Sequence, residues 1–326
     1  MSAEMNRRTF MKESVLLSAG GAMAVHATTG QASAEDAGAR NPPAPADALP
    51  QGKIGDLKVS RILLGGNLLT HFTHSRDLRY VYNLTAHYNT EEKILDTLAL
   101  AEKHGVNTVS VHNPPAIIAT LKKYRKERGG KIQWIICPTA GADATMAAYS
   151  KQVEELLDAG SDAIYVWGVR ADELISQGKI DLLAKAVEIA KAAGVPSGVG
   201  AHDLRVVMEC EKNKIPADFY IKTFHHHNYP SAPKPEQIKG PYNEVPGYWC
   251  ADPKATAEFM KTVEKPWIAF KVMSAGAIPP QDAFQYVFEN GADHVLAGMF
   301  DFEIAEDVGI VKKVLGGVKR ERAWRS

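Results

Sequence analysis

The chain lacks any excess of charge of one sign. Its 326 residues carry 38 basic and 38 acidic side chains, a formal net charge of zero. Nucleic acids and anionic membrane surfaces select a basic excess, so neither is an expected partner. Cysteine is scarce as well. Cys137, Cys210 and Cys250 are the only three, too few and too scattered for a disulfide framework or a thiolate zinc site. No apolar run has the length and freedom from glycine that a membrane span requires. What remains, 45% hydrophobic and 23% charged residues, is ordinary composition for a globular fold.

The first residues read as a leader rather than as part of that fold. "NRRTFMKESVLLSAGGAMAV" joins Arg7 and Arg8 to Phe10 and Lys12, ahead of a weakly apolar Gly/Ala-rich run. It resembles a twin-arginine export signal. Ala32 and Ala34 offer small residues before a cut ahead of Glu35. The expected organisation is a signal peptide over 1–34, a disordered linker over 35–51 and one folded domain over 52–326. The resemblance implies the twin-arginine machinery as a partner, a periplasmic location and no stable membrane span after cleavage. That route carries folded proteins, so it permits a metal or nucleotide loaded beforehand.

From residue 58 onward, short β-branched and apolar runs alternate with longer helical stretches. The strand candidates are "KVSRILLGGN", "VNTVSVHN", "IQWIICPTAG", "SDAIYVWG", "VPSGVGAHD", "ADFYIKTFHH", "PWIAFKVMSAG" and "ADHVLAGMFD". Several of the intervening helices stop at glycine. Eight such units predict an α/β fold, a (β/α)8 TIM barrel, with an open doubly wound sheet as the alternative.

A barrel of this kind puts its active residues where strands end and βα loops begin. Side chains alternate along a strand, so parity selects the inward set. A lysine is an unlikely guest in an apolar helix layer, which turns Lys222 and His226 inward on the sixth strand. The same reasoning turns Lys271 and Met273 inward on the seventh, with Ile268, Phe270 and Val272 outward. Gly198, Gly200 and His202 form the inward set of the fifth, and Ser110 and His112 share a face of the second. With Asn67 at the end of the first strand, the convergent polar set is Asn67, His112, His202, Lys222, His226 and Lys271. Cys137 and Trp167 are wall candidates.

"GKIGDLKVSRILLGGN", "TLALAEKHGVNTVSVHN" and "DAIYVWG" resemble the opening, the second unit and the fourth strand of aldo/keto reductases, over residues 52–168. The resemblance implies the barrel and an NADP-dependent oxidoreductase ancestry. The family's catalytic tetrad does not carry over. Ser110 and Pro115 stand where it places aspartate and tyrosine, Cys137 and Pro138 where it places lysine, and Trp167 where it places histidine. Further on, "KVMSAGAIPPQDAFQYVFENGADHVLAGMFD" is similar to the closing segment of phosphate-binding barrels. That similarity implies anion contacts at Ser274, Gly276 and Gly298.

Several chemistries fit these residues. Lys222, Lys271, His202 and His226 are the catalytic candidates for proton transfer or elimination on a small polar carbonyl or sugar-like substrate, a lyase or isomerase type of reaction. A lysine amine desolvated beside another cation is a nucleophile or base. A Schiff base between one of the two lysines and a carbonyl substrate, with a histidine moving protons, is one such use, and a clamp on a carboxylate or enolate-like intermediate is the other. Asn67, His112, Trp167, Tyr248 and Trp249 are the substrate-binding candidates. A reductase with non-standard catalytic groups, using NADP, is one alternative. A zinc-like divalent metal on His112, His202 and His226, serving a hydrolase or isomerase, is another. A ligand-binding barrel without turnover is the last. Two long connections, residues 68–90 and 227–252, carry Tyr229, Tyr242, Tyr248 and Trp249 and the polar residues His71, His74, Arg76 and Arg79. Loops of that length are commonly lids over a site or packing surfaces of a homo-oligomer.

Overall fold

A computed structural model describes residues 48–75, 78–238 and 250–326. The expected signal peptide, most of the expected linker, Arg76, Tyr242, Tyr248 and Trp249 lie outside the described residues. The fold starts a little before the expected boundary. Leu49 is buried in the core, and Gln51 opens the first strand.

Two strands precede the barrel. β1 (Gln51–Ile54) pairs antiparallel with β2 (Leu57–Ser60) through a two-residue turn, where Gly55 takes the positive φ that glycine tolerates. The sequence run "KVSRILLGGN" is therefore two strands. The Ser60 hydroxyl donates to the Ile62 carbonyl at the break, and the barrel begins at β3 (Ile62–Gly65). The hairpin plugs the end of the barrel at which strands begin. Ile54 and Val59 pack inside it with Leu63, Ile135, Phe219, Ile221 and Ile268. Asn107 and Gln133, just ahead of and opening the next two strands, both donate side-chain amides to the Lys58 carbonyl.

The other barrel strands are β4 (Thr108–His112), β5 (Gln133–Cys137), β6 (Ala163–Val166), β7 (Ser197–Ala201), β8 (Phe219–Thr223), β9 (Trp267–Phe270) and β10 (His294–Ala297). All neighbours pair in parallel, and β10 closes onto β3. This is the expected (β/α)8 barrel. The helices are α1 (Arg79–Tyr88), α2 (Glu91–Lys103), α3 (Pro115–Arg128), α4 (Ala147–Asp158), α5 (Gly168–Ser176), α6 (Ile180–Ala192), α7 (Leu204–Lys212), α8 (Pro253–Lys261), α9 (Pro280–Glu289) and α10 (Asp301–Gly317). Local chemistry starts several of them: Thr90, Asp203 and Asp252 accept backbone N–H groups at the starts of α2, α7 and α8. The outer core between sheet and helices includes Val109, Val111, Val199, Ala201, Tyr220, Phe224 and Trp267.

The interior decides the parity question. On β7 and β4 the reading holds: Val199, Val109 and Val111 face the helices, which leaves Gly198, Gly200, Ser110 and His112 facing in. On β8 it is reversed. Phe219 and Ile221 fill the interior, while Tyr220 and Phe224 belong to the helix layer. Gly198 is the reason: a Cβ there would stand 2.5 Å from the Phe219 ring, so the missing side chain makes the room that the phenylalanine occupies. Lys222 therefore lies behind the sheet. Its ammonium position is satisfied locally, with Nζ 2.7 Å from the Thr223 carbonyl and 3.0 Å from its hydroxyl. Burial lowers its pKa, so a neutral amine can sit in a layer that would reject a charged one. On β9 the parity is also reversed, with Ile268 and Phe270 in the interior.

Candidate active site

The strand ends open into a cavity of about 1130 Å³. Among the expected residues, Asn67, His112, Cys137, Trp167, His202, Lys271, Met273, Gly276 and Gly298 line it; Lys222, His226 and Ser274 do not.

His202 follows β7 and faces the cavity. Its Nδ1 is 2.6 Å from Asp172 Oδ2. Asp172, on α5, also accepts the backbone N–H groups of His202 and Asp203. The carboxylate is buried and held by three donors, an arrangement that orients the ring toward the cavity. The close approach of α5 depends on two glycines. A Cβ on Gly200 would stand 2.8 Å from the Gly168 backbone nitrogen. Burial lowers the His202 pKa, opposed by Asp172 and reinforced by Lys271 and Lys222.

Lys271 reaches the cavity against parity. It follows β9 with φ of 57°, a left-handed conformation that non-glycine residues adopt at a cost. That turn swings the side chain over the mouth, where Nζ stands 2.7 Å from His74 Nε2. Desolvation holds the amine well below its ordinary pKa. His74 is pushed down to about 3, by burial first and then by Lys271 and His202. His112 stacks against Trp167, with ring centroids 6.5 Å apart, and meets Phe72 edge-on; burial lowers its pKa too. The mouth thus gathers nitrogen bases whose pKa values burial lowers. Cys137, pushed up to about 12 by burial, remains a thiol and forms wall.

The three consecutive histidines all miss this site. His225 is buried and is not among the residues lining the cavity. His226 pairs with Asp282 at 3.3 Å on the helix side and packs edge-on to Tyr286. His227 Nε2 is 2.7 Å from the Cys250 carbonyl oxygen. With His226 outside the cavity, the ligand set His112, His202 and His226 is not assembled. Among the described residues no three His, Cys, Asp or Glu side chains stand together as a metal site. Ser274 is also turned away, donating its hydroxyl to Tyr229 at 2.9 Å.

Parity could not find Asp172 and His74, because neither lies on a strand. Asp172 leaves one sequence trace, an acid among buried positions of a short helix. His74 leaves only its place in a long first loop.

The closed parallel barrel is the (β/α)8 fold of solved aldo-keto reductases. Among solved structures, the chain is similar to aldo-keto reductase AKR11C1 from Bacillus halodurans in its holo form. The TM-score is 0.54 at 11% identity, covering 85% of this chain and 100% of that one. It is also similar to Gox0644, solved as a point variant in complex with NADPH (TM-score 0.52, 14% identity, 83% and 90% covered) and in an apo form (0.52, 14%, 85% and 96%). No protein-family model matches the chain, and no curated protein does.

A nicotinamide dinucleotide brings phosphate charge, and the lining does not suit it. The turns after the seventh and eighth barrel strands are where such barrels commonly take phosphate. Here Glu303 occupies the start of α10, accepting the Phe300 N–H at 2.8 Å. Asp307 lines the cavity beside it, and Lys271 is the single Lys or Arg among the described lining residues.

Proposed function

We propose that this cavity is the active site of an enzyme that moves protons on a small polar carbonyl or sugar-like compound. The observation that carries the reading is the convergence of the Asp172–His202 dyad and the Lys271–His74 pair on one cavity. His202 Nε2 takes a proton from carbon or oxygen, and Asp172 steadies the imidazolium that results. Lys271, its pKa lowered by burial, acts as the partner base, or adds to the carbonyl carbon and loses water to form a Schiff base. Phe72, Trp167 and Phe270 supply apolar walls that keep water from the reacting atoms.

The solved neighbours favour a second reading, a carbonyl oxidoreductase using NADP. It is supported by the shared fold and by the NADPH in one neighbour; the acidic lining beside Gly298 opposes it. Two measurements separate the readings. The first is incorporation of solvent deuterium next to the carbonyl across a panel of hydroxyketones and ketosugars, with His202→Ala and Lys271→Met as controls. The second is NADPH fluorescence on titration with protein. Exchange without NADPH binding supports proton transfer. Saturable NADPH binding with no exchange overturns it in favour of the reductase. Export by the twin-arginine route is part of the proposal, resting on Arg7 and Arg8. Cell fractionation of wild type and an Arg7→Lys, Arg8→Lys variant tests it.

A further inference from the structure

The cavity has a second arm that the dyad and the lysine do not use. It runs between α1 and the start of α10 and is lined by Val81, Leu84, Tyr88, Phe300, Phe302, Glu303 and Asp307. Its walls are aromatic: the Phe300 and Phe302 rings stack at 5.2 Å, and Tyr88 meets both edge-on.

The polar groups of this arm are acceptors. The Thr85 hydroxyl donates to the Val81 carbonyl, and the Tyr88 hydroxyl donates to Asp301. Glu303 accepts from the Phe300 N–H through Oε2. Lys93, the nearby cation, is committed to Asp301 at 2.9 Å. Asp307 is the exception to this pairing. It is only 3% exposed, it lines the cavity, and it has no hydrogen-bond or ion-pair partner among the described residues. The charges acting on it, Glu303 and Glu306, are both like its own. A buried carboxyl without a donor is costly unless something arrives to pair with it.

We propose that this arm is a subsite for a protonated amine, so that the compound handled at the dyad carries an ammonium group that Asp307 receives among Tyr88, Phe300 and Phe302. Burial first, and then Glu303 and Glu306, push the Asp307 pKa up to about 7, so an arriving cation restores its charged form, whereas a neutral polyol end brings no charge to pair with it. An anionic end would meet two carboxyls. An organic cation is attracted by both the carboxyls and the ring faces. The inference rests on the cavity being the active site, but not on which reaction occurs there.

The test uses the full chain and three probes of equal size: n-butylammonium, n-butanol and n-propionate, followed by ligand-observed NMR titration. Butylammonium binds at least about tenfold tighter than butanol, a difference of about 1.4 kcal/mol, and propionate does not bind. Asp307→Asn lowers the butylammonium affinity about tenfold without lowering the melting temperature, and Phe302→Ala weakens it further. Equal binding of the amine and the alcohol overturns the proposal, as does an unchanged affinity in Asp307→Asn. His202→Ala separates this failure from failure of the reaction: it abolishes deuterium exchange and leaves butylammonium binding intact.

Discussion

The two ends of the barrel treat buried charge in opposite ways. At the lower end, Asp293 is fully buried but completely partnered. It pairs with Arg322 at 2.6 Å and Arg320 at 3.4 Å and accepts the backbone N–H groups of Trp267 and Arg325. Arg322 in turn donates to the carbonyls of Met260, Gly291, Val263 and Lys265. That end ties the chain terminus to the sheet. At the upper end, His74 and Lys271 meet as two nitrogen bases beside the Asp172–His202 dyad, and Asp307 has no cation among the described residues. Low dielectric acts on both ends. Below it is answered by complete pairing; above it lowers the pKa of the bases and leaves one acid underpaired among the described residues, the condition in which such groups react or bind.

The largest expected effect is at the upper end. His202→Ala and Lys271→Met each lower turnover by about 10²–10⁴-fold, while the melting temperature stays close to that of wild type. A variant that melts early and keeps its rate would erase the contrast. Asp293→Ala strands two buried guanidinium groups and costs about 3–5 kcal/mol, read as a lower denaturation midpoint; deuterium exchange by the remaining folded protein is unchanged. The pH dependence is smaller. His74 and His225 are held near 3 and His294 near 4, against an ordinary value of 6.5. The folded chain resists their protonation and the unfolded chain does not, so their contribution is full above about pH 6.5. It shrinks as pH falls toward 4, and a melting series across that window shows the decline. Activity also falls on the acid side, with a midpoint below 6.5, because His202 must be neutral to take a proton. The smallest effect is at Lys222→Met. An amine that bonds only to its neighbouring threonine gives way to a chain of similar length, so stability changes by about 1 kcal/mol or less and turnover is retained. Loss of turnover there would return Lys222 to the site.

The barrel was legible because its signal is local and repeated. Seven of the eight strand candidates each contain one observed barrel strand, and the first splits at Ser60 into hairpin and barrel. Parity worked on β4 and β7, where valines mark the outer face. It failed on β8 because the rule that lysine avoids apolar layers concerns a charged lysine, and Lys222 is desolvated and bonded to Thr223. It placed Lys271 at the mouth, though not by alternation: the left-handed backbone after β9 brings it there. The expected metal triad did not form because His226 follows the outer face of β8.

Composition and periodicity by themselves determined the architecture, the end of the barrel that carries the site, and the candidacy of His112, His202 and Lys271. These follow from burial of alternating apolar faces, which any window of the chain displays. Only the tertiary structure decided which ionisable groups meet. Asp172 comes to His202 across 30 residues because two glycines let a helix approach a strand. His74 comes to Lys271 across 197 because a long loop folds over the mouth. Asp307 has no partner among the described residues because its helix turns it toward the cavity. Such meetings depend on packing between distant segments, and no local pattern encodes them.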